Sequence, residues 1–229
     1  MQMFLLPFAG GNSLSFKKFL PLIDKRVEMF TVEYSGRLNR ADEGFINDHN
    51  EFLNDVAEQI NNQRNIKIPY ALFGYSLGSM LAYELLSKNI IEGKSLHVFI
   101  CAKGSPFYTP ADYGNVDYES DDFTKEIFDL GGVDSRILSD KRFLEAYMRP
   151  IRADYVIWGQ YRYKGGRIPC NATAIYSEFD IAATGVKDWS LVVDKDIDFF
   201  DLGRNHFFIN EHLNDVADIV NSHLNFYLA

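Results

Sequence analysis

The sequence predicts one α/β domain, a mostly parallel sheet flanked by helices, carrying a helical insertion ahead of its last two strands. Three observations carry that expectation. Six short apolar runs read as strands: Met3–Phe8, Met29–Tyr34, Tyr70–Tyr75, Leu96–Ala102, Thr173–Ser177 and Ile197–Leu202. Apolar residues at helical spacing recur between and after them, as in Phe52, Val56 and Ile60, in Met80, Leu81, Glu84 and Leu85, and in Leu213, Val216, Val220 and Leu224. Strands alternating with helices make a sheet that is parallel and covered on both faces. Third, from about residue 105 to about residue 166 no strand pattern occurs, so this stretch reads as an insertion.

Each element follows from its own residues. The opening Met3-Phe4-Leu5-Leu6-Pro7-Phe8 follows no basic leader and is too short for a membrane span, so it reads as the first strand. The insertion begins with a loop rich in Pro, Tyr and Asp. Phe123, Ile127 and Leu130 then mark a short amphipathic helix, which Gly131-Gly132 stops, and Phe143, Tyr147, Ile151 and Tyr155 mark a second. Helices inserted at the carboxyl edge of such a sheet lie over the usual ligand crevice, so the insertion is expected to be a lid.

Composition narrows the function. With 229 residues, 47% apolar and 24% charged, the chain can bury one substantial core, and residues 1–229 are expected to form one domain. Cys101 and Cys170 are too few for a disulfide framework and form no metal-type pair, which points to the cytoplasm and to no metal site. A formal net charge of −9 argues against a nucleic-acid surface.

The chemistry centres on Gly74-Tyr75-Ser76-Leu77-Gly78, a G-x-S-x-G pattern between an apolar strand and a helix. A serine there sits on a sharp turn with its hydroxyl exposed above the sheet, the nucleophile elbow of the α/β-hydrolases. Ser76 is therefore the expected nucleophile, and a serine needs a base. Of five histidines, His49, His212 and His223 fall on helical patterns and His97 at the start of a strand, whereas His206 follows the last strand at the carboxyl edge. The order Ser, acid, His places the third member between them. Asp180, in the loop after Thr173–Ser177, is favoured over Glu178 and Asp188, while Asp201 faces the wrong way in its strand. An oxyanion hole would take one N–H from Leu77 and one from Ala9, in the glycine-rich loop after the first strand. No Gly-Lys-Ser/Thr follows that loop, which excludes a P-loop.

Together these pieces resemble the type II, stand-alone editing thioesterases of nonribosomal peptide and polyketide biosynthesis. The resemblance runs nearly end to end through Pro7-Phe8-Ala9-Gly10-Gly11, Tyr34-Ser35-Gly36-Arg37, Phe73-Gly74-Tyr75-Ser76-Leu77-Gly78, Arg152-Ala153-Asp154-Tyr155 and His206-Phe207-Phe208. Ser35 stands where the family has proline, Tyr75 where it has histidine, and Gly203-Arg204-Asn205 replaces a shorter Gly-Gly, with Asn205, of a type that tolerates positive φ better than most, expected to supply what the second glycine does.

The resemblance implies hydrolysis of misprimed or stalled acyl groups from the 4′-phosphopantetheine arm of acyl or peptidyl carrier proteins. The enzyme would need no cofactor of its own, since the pantetheine belongs to the substrate. A monomer in the cytoplasm, free of membrane and nucleic acid, is expected. Phe8, Tyr75, Phe123, Ile127, Tyr147 and Ile151 are candidate substrate contacts, with core packing as the alternative for each lid residue. Arg136, Lys141, Arg142, Arg149 and Arg152 form a candidate docking patch or a solvated helix face, and Arg152 could pair with Asp154. A small carboxylesterase or acyl-CoA thioesterase would use the same triad, and a catalytically idle scaffold would keep the same fold.

Overall fold

A computed structural model of the chain describes residues 1–108, 116–131, 137 and 140–228. Six strands form one sheet: β1 (Gln2–Leu6), β2 (Glu28–Thr31), β3 (Tyr70–Tyr75), β4 (Ser95–Cys101), β5 (Asn171–Tyr176) and β6 (Ile197–Asp201). Their order is β2-β1-β3-β4-β5-β6, and every neighbouring pair is parallel. All six expected strands are present. The first two stop short of their apolar runs because Pro7 has no N–H for the ladder and because Val32 to Tyr34 turn into the loops that build the site.

Five α-helices accompany the sheet in the described residues, with short 3-10 turns between elements: α1 (His49–Gln63), α2 (Leu77–Ser87), α3 (Asp121–Asp129), α4 (Lys141–Gln160) and α5 (Leu213–Leu228). Asp48, Ser120 and Asp140 cap α1, α3 and α4 by accepting from N–H groups in the first turn. Gly131 ends α3 with φ of +87°, and Gly132 lies outside the described residues. His212 stands one residue before α5 rather than on it.

Alternation along the strands divides the core in two. Phe4 and Leu6 of β1 face a cluster with Phe52, Val56 and Ile60 of α1, whereas Met3 and Leu5 face one with Val216, Val220 and Leu224 of α5. The insertion has a smaller core of its own, in which Phe123 and Ile127 of α3 pack with Met148 and Ile151 of α4. Farther along α4, Ile157 and Trp158 belong to the main core, so in packing terms the insertion ends well before residue 166.

The strand order fixes where the site must lie. From β1 the chain crosses to β2 on one side and then returns to β3 on the other, which makes the carboxyl ends of β1 and β3 a topological switch point. Leu6 is in register with Gly74, so the loop after β1 and the elbow after β3 leave the sheet side by side.

Candidate active site

Ser76 holds φ of 53° and ψ of −111°, a conformation that costs a non-glycine residue energy and that the surrounding packing enforces. A Cβ on Gly74 would meet Gly78 O at 2.4 Å, and one on Gly78 would meet Leu6 O at 2.0 Å, so the turn closes only with glycine at both positions. Ser79, fully buried, lies 2.8 Å from Gly74 O through its hydroxyl and accepts the Cys101 N–H at 3.0 Å. That hydroxyl locks the first turn of α2 to β3 and β4, a role its sequence position alone did not reveal.

His206 Nε2 stands 3.0 Å from Ser76 Oγ, and its Nδ1 stands 2.7 Å from Asp180 Oδ2. A carboxylate only accepts, so Nδ1 carries the proton and Nε2 presents its lone pair to the serine hydroxyl. The other oxygen, Asp180 Oδ1, takes the Ala182 N–H at 2.9 Å. Asp180 is 5% exposed and His206 4%, so the bond between them is shielded from water, while the Ser76 end opens on the cavity. The competing carboxylates go elsewhere: Glu178 is exposed, Asp188 accepts the Tyr108 hydroxyl at 2.8 Å, and Asp201 accepts the Gly203 N–H at 3.0 Å.

In the loop before His206, Gly203 (56°) and Arg204 (94°) carry the positive φ, not Asn205. Asn205 instead accepts the Phe207 N–H through Oδ1 at 2.8 Å, an Asx turn that presents His206. Tyr75 supports the same residue from below, its hydroxyl donating to His206 O at 2.7 Å.

Ala9 and Leu77 border the cavity that holds Ser76 and His206, as an oxyanion hole requires. The next residue, Gly10, donates its N–H to Asp154 Oδ2 at 2.7 Å, and Asp154 Oδ1 pairs with Arg37. Gly10 has φ of +79°, and a Cβ there would strike Ile151 Cγ1 at 2.3 Å, so conformation and space both demand glycine. Asp154 is 1% exposed; burial pushes its carboxyl above the usual range, while Arg37 and the Gly10 N–H pull it back. The Ala-Gly-Gly, Tyr-x-Gly-Arg and Arg-Ala-Asp motifs thus converge on one carboxylate. Tyr34 adds a further tie, donating to Pro7 O at 2.8 Å. The partner of Asp154 is Arg37 and not Arg152, which binds Glu145 at 2.7 Å and Tyr118 O at 3.0 Å.

The cavity measures about 790 Å³. The six expected substrate contacts are not among its lining residues, and packing is the reason. Phe123, Ile127 and Ile151 fill the core of the insertion, Tyr147 packs on Phe128, and Phe8 packs edge-on against Tyr75 and Phe207. Tyr75 is fully buried. It is the other face of α3, with Asp122, Lys125, Glu126 and Asp129 at helical spacing, that borders the cavity opposite Ser76.

Lys103 borders the cavity too, and the sequence reading missed it. The available signal was its place just past the carboxyl end of β4, the edge from which this fold presents functional groups. Of the basic group, Arg136 lies outside the described residues, Lys141 and Arg142 are exposed, and Arg149 covers the Phe45 ring at 5.3 Å. Among the described residues no cluster of His, Cys, Asp and Glu is placed to hold a metal ion, and no helix is long and apolar enough to cross a membrane.

Comparison with known proteins identifies the family and the fold. The chain is 25% identical over 236 residues to the gramicidin S biosynthesis protein GrsT of Aneurinibacillus migulanus, covering all of this chain and 91% of that one. Among solved structures, ClbQ from the colibactin NRPS/PKS pathway superposes with a TM-score of 0.88 at 19% identity, covering 98% of this chain and 96% of ClbQ. The type II thioesterase BorB from the borrelidin biosynthetic cluster superposes with a TM-score of 0.81 at 25% identity, covering 97% and 92%. The fold they share with this chain is the α/β-hydrolase fold of thioesterases. The thioesterase domain family model matches residues 1–224, and the chain accordingly belongs to the thioesterase domain family, whose activity is thioester hydrolysis.

Proposed function

We propose that the chain is a stand-alone editing thioesterase that removes acyl groups from the 4′-phosphopantetheine arm of acyl or peptidyl carrier proteins. The observation that carries this reading is the hydrogen-bonded line from Asp180 through His206 to Ser76, opening on a cavity beside the backbone of Ala9 and Leu77. The end-to-end similarity to GrsT, named for gramicidin S biosynthesis, and to BorB, titled a type II thioesterase, supports the choice of substrate. The enzyme is taken to act in the cytoplasm as a monomer and to need no cofactor of its own.

The chemistry proceeds in two halves. Ser76 Oγ attacks the thioester carbonyl carbon while its proton passes to His206 Nε2, and the N–H groups of Ala9 and Leu77 receive the developing oxyanion. The C–S bond then breaks, and the departing sulfur takes the proton from His206 to leave as the pantetheine thiol. Water next gives a proton to His206 and attacks the acyl carbon; as the ester bond to Ser76 breaks, Oγ takes that proton back and the free acid departs.

The deciding experiment compares kcat/KM on one acyl group presented as acyl-carrier protein, acyl-CoA and p-nitrophenyl ester. Acyl-carrier protein should be the best substrate. Equal or better turnover of the CoA or oxygen ester would make the protein an acyl-CoA thioesterase or a small carboxylesterase. Failure of a fluorophosphonate probe to label Ser76 would overturn the serine mechanism.

A further inference from the structure

We propose that Lys103 is a specificity residue that binds a carboxylate on the acyl chain, so that the preferred thioesters carry an anionic group beyond the reacting carbonyl. The inference rests on the thioesterase reading above and adds to it the chemical class of the acyl group.

Rigid elements fix the placement of Lys103. Its carbonyl accepts the Trp189 indole N–H at 3.0 Å, and the N–H of the following Gly104 donates to Ala182 O at 2.7 Å, in the turn that follows Asp180. A Cβ on Gly104 would lie 1.9 Å from Thr184 O, so the backbone here is pressed against the Asp180 loop. The Lys103 side chain borders the same cavity as Ser76 and His206, with Nζ 4.2 Å from the centroid of the Trp158 ring. Trp158 is itself held by stacking on Tyr161 at 5.1 Å.

Among the described residues no carboxylate forms an ion pair with the ammonium, not even Asp122, Glu126 and Asp129 across the same cavity, and what it touches is the indole face. Asp180, whose charge Lys103 feels, already has both oxygens engaged, one by His206 and one by the Ala182 N–H. Across the cavity Asp129 is paired with Lys125. Burial lowers the Lys103 pKa to about 8, the Asp180 charge opposing, so the side chain is still largely protonated at neutral pH.

A cation partly withdrawn from water is costly, and an aromatic face compensates only part of that cost. A substrate carboxylate would supply the missing charge in a charge-assisted hydrogen bond. The arm phosphate is a second possible source of anionic oxygen, but it lies at the far end of an extended pantetheine chain. Lys103 borders the same cavity as Ser76 and sits beside the loop that carries Asp180, close to where the reacting carbon must lie and not at the distance of an extended arm.

The test measures kcat/KM for length-matched N-acetylcysteamine thioesters, pentanoyl against succinyl and hexanoyl against glutaryl, with wild type, Lys103→Met and Lys103→Arg. Wild type should favour the anionic member of each pair. In Lys103→Met the anionic-to-neutral ratio should fall by about tenfold to a hundredfold, the loss expected for a hydrogen bond to a charged group, and Lys103→Arg should retain most of it. A structural cation would lower both substrates together and leave the ratio unchanged, which would overturn the proposal, as would a wild-type preference for the neutral chains. A loss seen with 4′-phosphopantetheine thioesters but absent from N-acetylcysteamine thioesters would assign Lys103 to the phosphate and also overturn it. If Lys103→Met does not fold, the Lys103→Arg ratio and the wild-type preference still decide. Hydrolysis of no thioester by wild type would instead remove the proposed function.

Discussion

Replacing Arg37 by Met isolates the most buried carboxylate tied to the site. Asp154 would keep the Gly10 N–H and lose its countercharge, while the Met side chain fills much of the vacated volume. Breaking a buried pair in this way costs about 3–5 kcal/mol. Loss of the guanidinium from the Tyr34 and Phe45 rings, 5.2 and 5.7 Å away, adds to that loss. With a urea m-value of about 3 kcal/mol/M for a domain of this size, the unfolding midpoint should drop by about 1–1.7 M at pH 7. Asp154 can relieve the penalty by taking up a proton. Without Arg37 its folded-state pKa, already raised by burial, rises further above the unfolded value. The penalty is therefore complete above the folded pKa and shrinks as pH falls toward the unfolded one, so the loss at pH 5 should be smaller than at pH 7. Urea unfolding followed by tryptophan fluorescence measures both. The variant Arg37→Met/Asp154→Leu removes both charges and should be more stable than the sum of the single losses by more than about 2 kcal/mol, despite the orphaned Gly10 N–H. A single variant within about 1 kcal/mol of wild type, or an additive double variant, would refute the coupling.

Ser76→Ala and His206→Ala should each lower kcat by about 10⁴ to 10⁶ without changing the melting temperature, and retention of more than about a tenth of wild-type turnover would break the triad assignment. Asp180→Asn should lose up to about 10⁴ by favouring the wrong imidazole tautomer, with Glu178→Gln and Asp188→Asn mild; a different ranking would move the acid. Tyr75→Phe removes the donor that holds His206 O, so kcat should fall by about tenfold with KM unchanged, and a change in KM alone would make Tyr75 a substrate contact after all. His97 is buried and neutral, its pKa lowered from 6.5 to about 3 by burial first and the neighbouring His223 second, with Asp198 opposing. Its unfolded state takes up a proton that the folded state refuses, so stability falls below pH 6.5 by up to about 1.4 kcal/mol per unit. His97→Gln should flatten that acid limb, and an unaltered limb in urea titrations would show that other groups set it.

What the sequence revealed was local, and what it concealed was contact across distance. The strands and the elbow announce themselves through period and flanking glycine, which need no knowledge of the rest of the chain. The link from Arg37 to Asp154 spans 117 positions, and only folding shows that Asp154 has a better partner than the adjacent Arg152. Amphipathic spacing marked Phe123, Ile127 and Leu130 as one apolar face, but it could not say what that face met. Phe123 and Ile127 close the insertion on itself against α4, while Leu130 and the charged Asp122, Lys125, Glu126 and Asp129 border the cavity. Tyr75 and Lys103 escaped for the same reason: a hydroxyl aimed at His206 O and an ammonium set on Trp158 are relations between segments, invisible in either segment alone.

The two ends of α4 answer to different parts of the molecule. Its first half contributes Met148 to the small cluster of the insertion, while its last turns contribute Ile157 and Trp158 to the main core. Pro150 has no N–H, so one rung of the helical ladder is missing between Met148 and Ile151, within the stretch that packs the insertion. Arg37 reaches the Pro150 carbonyl at 3.3 Å and Asp154 one turn later, pinning the helix on the core side of that gap. In the outer half, residues 141–150, only Met148 is buried, so this end of the helix is expected to have the lower local stability. One continuous helix thus carries a wall of the cavity at Trp158 and, a few turns away, a sparsely backed end whose amides should exchange with solvent faster than those of the anchored end.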